Sequence, residues 1–119
     1  MIQAIRALYS EGRFESAYVM LDQAVEKHPN DLQLGRDVGV FIYEKSVFHK
    51  FNTAVSGLSA YLPTHPNDYD AYIAHAFTAW VSGLNTECIA SCTRAIALKH
   101  NGFIAYRILG LYYLIYLCT

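Results

Sequence analysis

The phrase His28-Pro29-Asn30-Asp31 recurs letter for letter as His65-Pro66-Asn67-Asp68. Each copy lies between two stretches of helical apolar spacing. Proline disfavours helix in the residue before it and cannot extend a helix itself, while Asn and Asp are good N-caps. Each copy therefore ends one helix and starts the next within a few residues. A phrase that repeats together with its flanks marks a repeat array.

Aligned on the two prolines, the flanks fall into register. Ala17 and Ala54 stand at one slot, Ala24 and Tyr61 at another. Pro66 follows Pro29 by 37 residues, and a further 34 reach His100. The same frame puts Cys88 in the slot of Ala17 and Ala54, and Ala95 in that of Ala24. Gly12 and Gly83 share the slot between the two helices of their units. The second unit is three residues longer, and the frame places the excess in its turn, around Lys45 to Lys50. Apolar spacing predicts seven helices, over about 1–11, 14–27, 31–45, 51–62, 68–82, 85–99 and 102–118, with Pro63 ending the fourth. No segment alternates as a strand does. The expected fold is all-α, one domain over 1–119, with units at about 1–31, 32–68 and 69–102 and a leading helix of a fourth at 103–118.

A helix–turn–helix unit of this length resembles the tetratricopeptide repeat, with its W-x2-L-G-x2-Y, A-x3-F and P positions. Tyr106-x2-Leu109-Gly110-x2-Tyr113 follows the first part; Ala17-x3-Leu21 with Pro29, and Ala54-x3-Leu58 with Pro66, follow the second. The third unit departs from it, with Cys88-x3-Cys92 and no proline. The resemblance implies a solenoid whose leading helices line a concave, peptide-binding face. Carried over by frame, that face holds Gln3, Arg6, Tyr9 and Ser10, then Gln33, Arg36, Asp37, Val40, Tyr43 and Glu44. It continues with Ile73, Ala74, Phe77, Trp80 and Val81, then Ile104, Arg107, Ile108, Leu111 and Ile115. The groove runs from polar to apolar. A subfamily of these repeats clamps chaperone C-termini with cationic and amide side chains; Asp37 and Asp70 at its positions would repel a carboxylate.

Charge narrows the function further. Net charge is −1, with 9 basic and 10 acidic residues, which argues against a general nucleic-acid or anionic-membrane binder. Residues 1–50 hold 13 charged side chains and residues 51–119 only 6, so something is expected to cover part of the second half. The apolar run from Ile108 to Leu117 is about half the roughly twenty residues a spanning helix needs, and Arg107 precedes it. Met1 to Glu11 lacks the basic and apolar regions of a secretory signal.

Catalytic and metal chemistry find little footing. Cys88 and Cys92 lie one helical turn apart, but zinc wants three or four ligands, and both occupy core slots of the repeat. With Cys118 the count is three, which favours free thiols in a reducing, cytoplasmic setting. His28 and His65 suit helix ends, His100 replaces a proline, and no histidine stands at a spacing that argues catalysis. No phosphate loop or H-E-x-x-H is present. No enzyme activity and no cofactor are expected.

These readings converge on a protein–protein interaction scaffold or adaptor that takes an apolar or amphipathic segment into its groove. The expected partner-binding residues are Arg36, Val40, Tyr43, Ile73, Phe77, Trp80, Val81, Ile108 and Leu111. Two alternatives stand beside it: a docking or regulatory portion of a larger enzyme, and a small chaperone for secreted apolar segments. The last helix, 102–118, is rich in large apolar side chains with no following helix to cover them, so self-association through it is a further expectation.

Overall fold

The structure is a computed structural model that describes residues 1–117, with the side chains of residues 1–111 and of Tyr113. Among the described residues it is all-helical, without strands. The helices are α1 (Ile2–Ser10), α2 (Phe14–Lys27), α3 (Leu32–Glu44), α4 (Phe51–Tyr61), α5 (Tyr69–Val81), α6 (Asn85–Leu98) and α7 (Phe103–Leu117). Two one-turn 3-10 segments, Phe48–Lys50 and Leu62–Thr64, precede and follow α4. Pro63 sits in the second of these, so α4 yields to tighter winding where proline removes an N–H donor.

The repeated phrase does what its chemistry requires. The Asp31 carboxylate accepts from Leu34 N–H at 3.0 Å and that of Asp68 from Ala71 N–H at 3.1 Å, capping α3 and α5. In the third passage Gly102 stands where the aspartates stood. A Cβ there would collide with the Tyr69 hydroxyl, so the cap is given up to seat that ring.

The three turns inside the units share one geometry. Arg13 N–H donates to Leu8 O at 3.0 Å, Val47 N–H to Ile42 O at 3.0 Å, and Leu84 N–H to Ala79 O at 2.8 Å. The residue before each donor is left-handed: Gly12 at φ +80°, Ser46 at +55° and Gly83 at +78°. Ser46 thus stands in the glycine slot, at a cost of about 1–2 kcal/mol that the turn's hydrogen bonds offset. Val47 thus matches Arg13 and Leu84 in turn geometry, and Phe48, His49 and Lys50 follow it as a 3-10 turn that has no counterpart after the other two.

Burial is alike at several corresponding positions. Ala17, Ala54 and Cys88 are fully buried at one slot, and Leu21, Leu58 and Cys92 at the next turn of the same helices. The pairs α1–α2, α3–α4 and α5–α6 pack as hairpins, each odd-numbered helix touches the next odd-numbered one, and the even-numbered helices hardly touch one another. Small residues set the close approaches. Gly39 admits the Leu58 side chain, and Gly35 meets Gly57 backbone to backbone. Helix α5 lies at the centre, in contact with α3, α4, α6 and α7. That is why it is buried on nearly every side, with Ala71, Ile73, Ala74, His75, Ala76, Thr78 and Ala79 all enclosed.

Candidate interaction surface

The expected partner-binding residues lie on the odd-numbered helices, and not all of them are open. Val40, Ile73 and Ile108 are 6%, 3% and 3% exposed. Ile73 is covered by Ala95 of α6 and Ala105 of α7, and Ile108 packs against Ala76, Ala79 and the two cysteines. These three are enclosed by the chain's own helices, whereas Phe77 and Trp80 of α5 stay partly open and Val81 exposed.

What remains accessible is mainly aromatic. Tyr43 meets Phe77 at 5.4 Å between ring centroids, Phe77 meets Trp80 at 5.9 Å, and buried Phe51 backs them at 6.0 Å from Phe77. Phe51 in turn contacts Phe48, which is 64% exposed. Edge-on contacts of this kind are the favoured geometry for ring pairs. Burial, with Tyr69, Glu44 and Asp70 nearby, raises the Tyr43 phenol pKa, so at neutral pH it offers a neutral donor. Val81, one turn beyond Phe77, and Leu111, one turn beyond Ile108, are 45% and 39% exposed. A second ring group lies at the α1 end, where Tyr9 contacts Phe14 and Phe41.

Arg36 is already engaged. Its Nε and Nη2 donate to the two Asp68 oxygens at 3.0 and 3.3 Å, and its Nη1 to Asp37 at 3.2 Å. Tyr61 O–H donates to the same Asp68 at 2.7 Å. Partial burial would push the Asp68 carboxyl up, but the hydrogen bonds from Arg36, Tyr61 and Ala71 outweigh it and hold the group below the usual range. Burial works against the Arg36 charge, and the two aspartates more than restore it. Arg36 therefore locks α3 to α5, with half-buried Asp37 on its flank.

The structure also assembles a polar cluster that sequence spacing does not reveal. His75 Nδ1 lies 2.6 Å from Ser91 Oγ, and Nε2 lies 2.9 Å from Ser59 Oγ. Glu87 Oε2 is 3.3 Å from Nε2 but lacks hydrogen-bond geometry and has no other donor. Burial lowers the His75 pKa, against the opposing pull of Glu87, so the ring is neutral at pH 7. A serine, a neutral histidine and a carboxylate are the parts of a nucleophilic triad. Here Ser91 is buried, and the more open Ser59 sits inside α4, where backbone N–H groups are spent on the helix and cannot stabilise an oxyanion. The cluster ties α4, α5 and α6 together.

Cys88 and Cys92 are free and fully buried, and among the described residues no group of three metal-ligating side chains forms. Among those residues, too, no helix is long and apolar enough to cross a membrane. On α7, Phe103, Ile104, Tyr106 and Leu111 are exposed; the expectations for Cys118 and for the side chains of residue 112 and residues 114–117 lie outside the described residues. No protein-family model matches the sequence, and a search of curated proteins returns no match.

Proposed function

We propose that the protein is a non-catalytic interaction module, a short array of tetratricopeptide-like units whose odd-numbered helices receive an apolar or amphipathic segment of another protein. The observation that carries this reading is the ring series Tyr43–Phe77–Trp80, only partly covered and continued by exposed Val81 and Leu111. Contiguous apolar surface around a tryptophan is a frequent mark of an interaction site. Supporting it are the repeated caps and turns and the contacts among odd-numbered helices. The two buried free thiols fit a reducing compartment such as the cytoplasm.

A display library of amphipathic peptides, selected on the immobilised protein, tests the proposal. Selected peptides should lose about tenfold or more in affinity to Trp80→Ala, since burying a large apolar side chain is worth roughly 1.5–3 kcal/mol. Helix content should stay unchanged. Selection of peptides indifferent to both Trp80→Ala and Val81→Asp would overturn it.

A further inference from the structure

Away from the aromatic face, α2, α3 and α4 enclose a hollow of about 410 Å³ whose walls include Val25, His28, Pro29, Asp31, Ser56 and Ala60. Its equivalent in the next unit shows what belongs in it. Shifting α4 onto α6 by the 34-residue frame places Ala60 on Arg94, and the 37-residue frame places Pro29 on Pro66. At that second junction Arg94 Nε donates to Pro66 O at 3.0 Å and Nη2 donates to Asn67 Oδ1 at 3.1 Å. One copy of the His-Pro-Asn-Asp phrase thus holds a guanidinium group from within the chain.

The other copy keeps the acceptors and lacks the cation. Among the described residues no hydrogen bond ends on the Pro29 carbonyl or on the Asn30 side chain. The Asp31 carboxylate has only the Leu34 N–H, whereas Asp68 is matched by Arg36. Space has been left as well: Gly35 and Ala60 stand where the second junction has Tyr72 and Arg94. Pro29 and Asp31 line the hollow and Asn30 stands between them in sequence; a carbonyl and an amide oxygen with a carboxylate beside them suit guanidinium better than ammonium.

We infer that this hollow binds an arginine side chain of a partner protein. The guanidinium donates to Pro29 O and Asn30 Oδ1, the stem lies over Ala60, and Asp31 supplies the countercharge. The inference is independent of the aromatic face and names a second, chemically distinct contact.

The test uses N-acetyl-arginine amide as probe and its uncharged isostere, N-acetyl-citrulline amide, as control, followed by backbone amide NMR. Expected are saturable shifts at Asn30, Asp31 and Ala60, with citrulline weaker by about tenfold, the difference a charge-assisted fork makes. Ala60→Arg, at an exposed position, should fill the hollow from within and abolish the shifts while the protein stays folded. Absence of saturable binding, equal binding of citrulline, or binding that survives in folded Ala60→Arg would each overturn the proposal.

Discussion

Two alanine substitutions, chemically the same, should move stability in opposite directions. At Gly57 an added Cβ would lie 2.7 Å from the Gly35 carbonyl oxygen and 3.1–3.2 Å from its carbonyl and α carbons. These are backbone atoms of α3, so no side chain can swing aside; α3 and α4 must part by several tenths of an ångström along a tight interface. Overpacking of that kind costs about 1–3 kcal/mol, against about 0.5–1 kcal/mol gained by replacing a helical glycine. The net expectation for Gly57→Ala is a loss of up to about 2.5 kcal/mol. Gly110, in α7, has nothing within 4 Å of its hypothetical Cβ, so Gly110→Ala keeps only the gain, about 0.5–1 kcal/mol. Urea titration followed by circular dichroism reads both, and the two midpoints should fall on opposite sides of the parent protein's. A Gly57→Ala protein as stable as the parent would show that the glycine pair does not set the helix spacing.

Asp31 and Asp68 occupy one slot in identical phrases yet should differ in cost. Asp31→Ala loses a cap worth about 1 kcal/mol, whereas Asp68→Ala also strands Arg36 and Tyr61 and should cost about 2–3 kcal/mol; equal losses in denaturant titration would refute the distinction. His75 is held below its ordinary pKa of 6.5 by burial. The unfolded chain then takes up a proton that the folded one refuses, so stability should fall as pH drops below 6.5, by at most about 1.4 kcal/mol per pH unit. His75→Gln should flatten that slope, while the depressed Asp68 contributes only below its reference value of 3.8; a wild-type slope that persists in the variant assigns it elsewhere. Exposed Phe103, Ile104 and Tyr106 on α7 lead to concentration-dependent self-association weakened by Tyr106→Glu, and light scattering showing a monomer at all concentrations would remove this expectation.

Much of the architecture is legible in single residues. The prolines and aspartates of the repeated phrase locate helix ends because their chemistry is local. The shared slot of Ala17, Ala54 and Cys88 identifies the core because only small side chains fit between helices so close. The limits are equally specific. Ser46 hides the third left-handed turn, since serine does not announce a positive φ, and so the insertion at Phe48–Lys50 is located only to within a few residues. Ile73 reads as surface because a helix apolar all round does not say which neighbour covers which side. His75, Ser59 and Ser91 stand 16 residues apart in each direction; nothing local links them, and only the stacking of three helices brings them together.

The contact pattern of the helices also bears on how the chain acquires its shape. Nearly every interhelical contact joins helices that are adjacent or next but one in sequence. Closing such short loops sacrifices little chain entropy, so native contacts can form locally and early, as in fast-folding helical domains. The α1–α2 pair joins the remainder through side chains, with Ile5, Ala17 and Leu21 in the same core as Val38, Phe41 and Leu58, and with Arg6–Glu44 and Lys50–Asp22 at the surface. The amino-terminal hairpin nevertheless shares one continuous core with α3 and α4, so removing Ile5 or Leu21 would loosen that block as well as the hairpin.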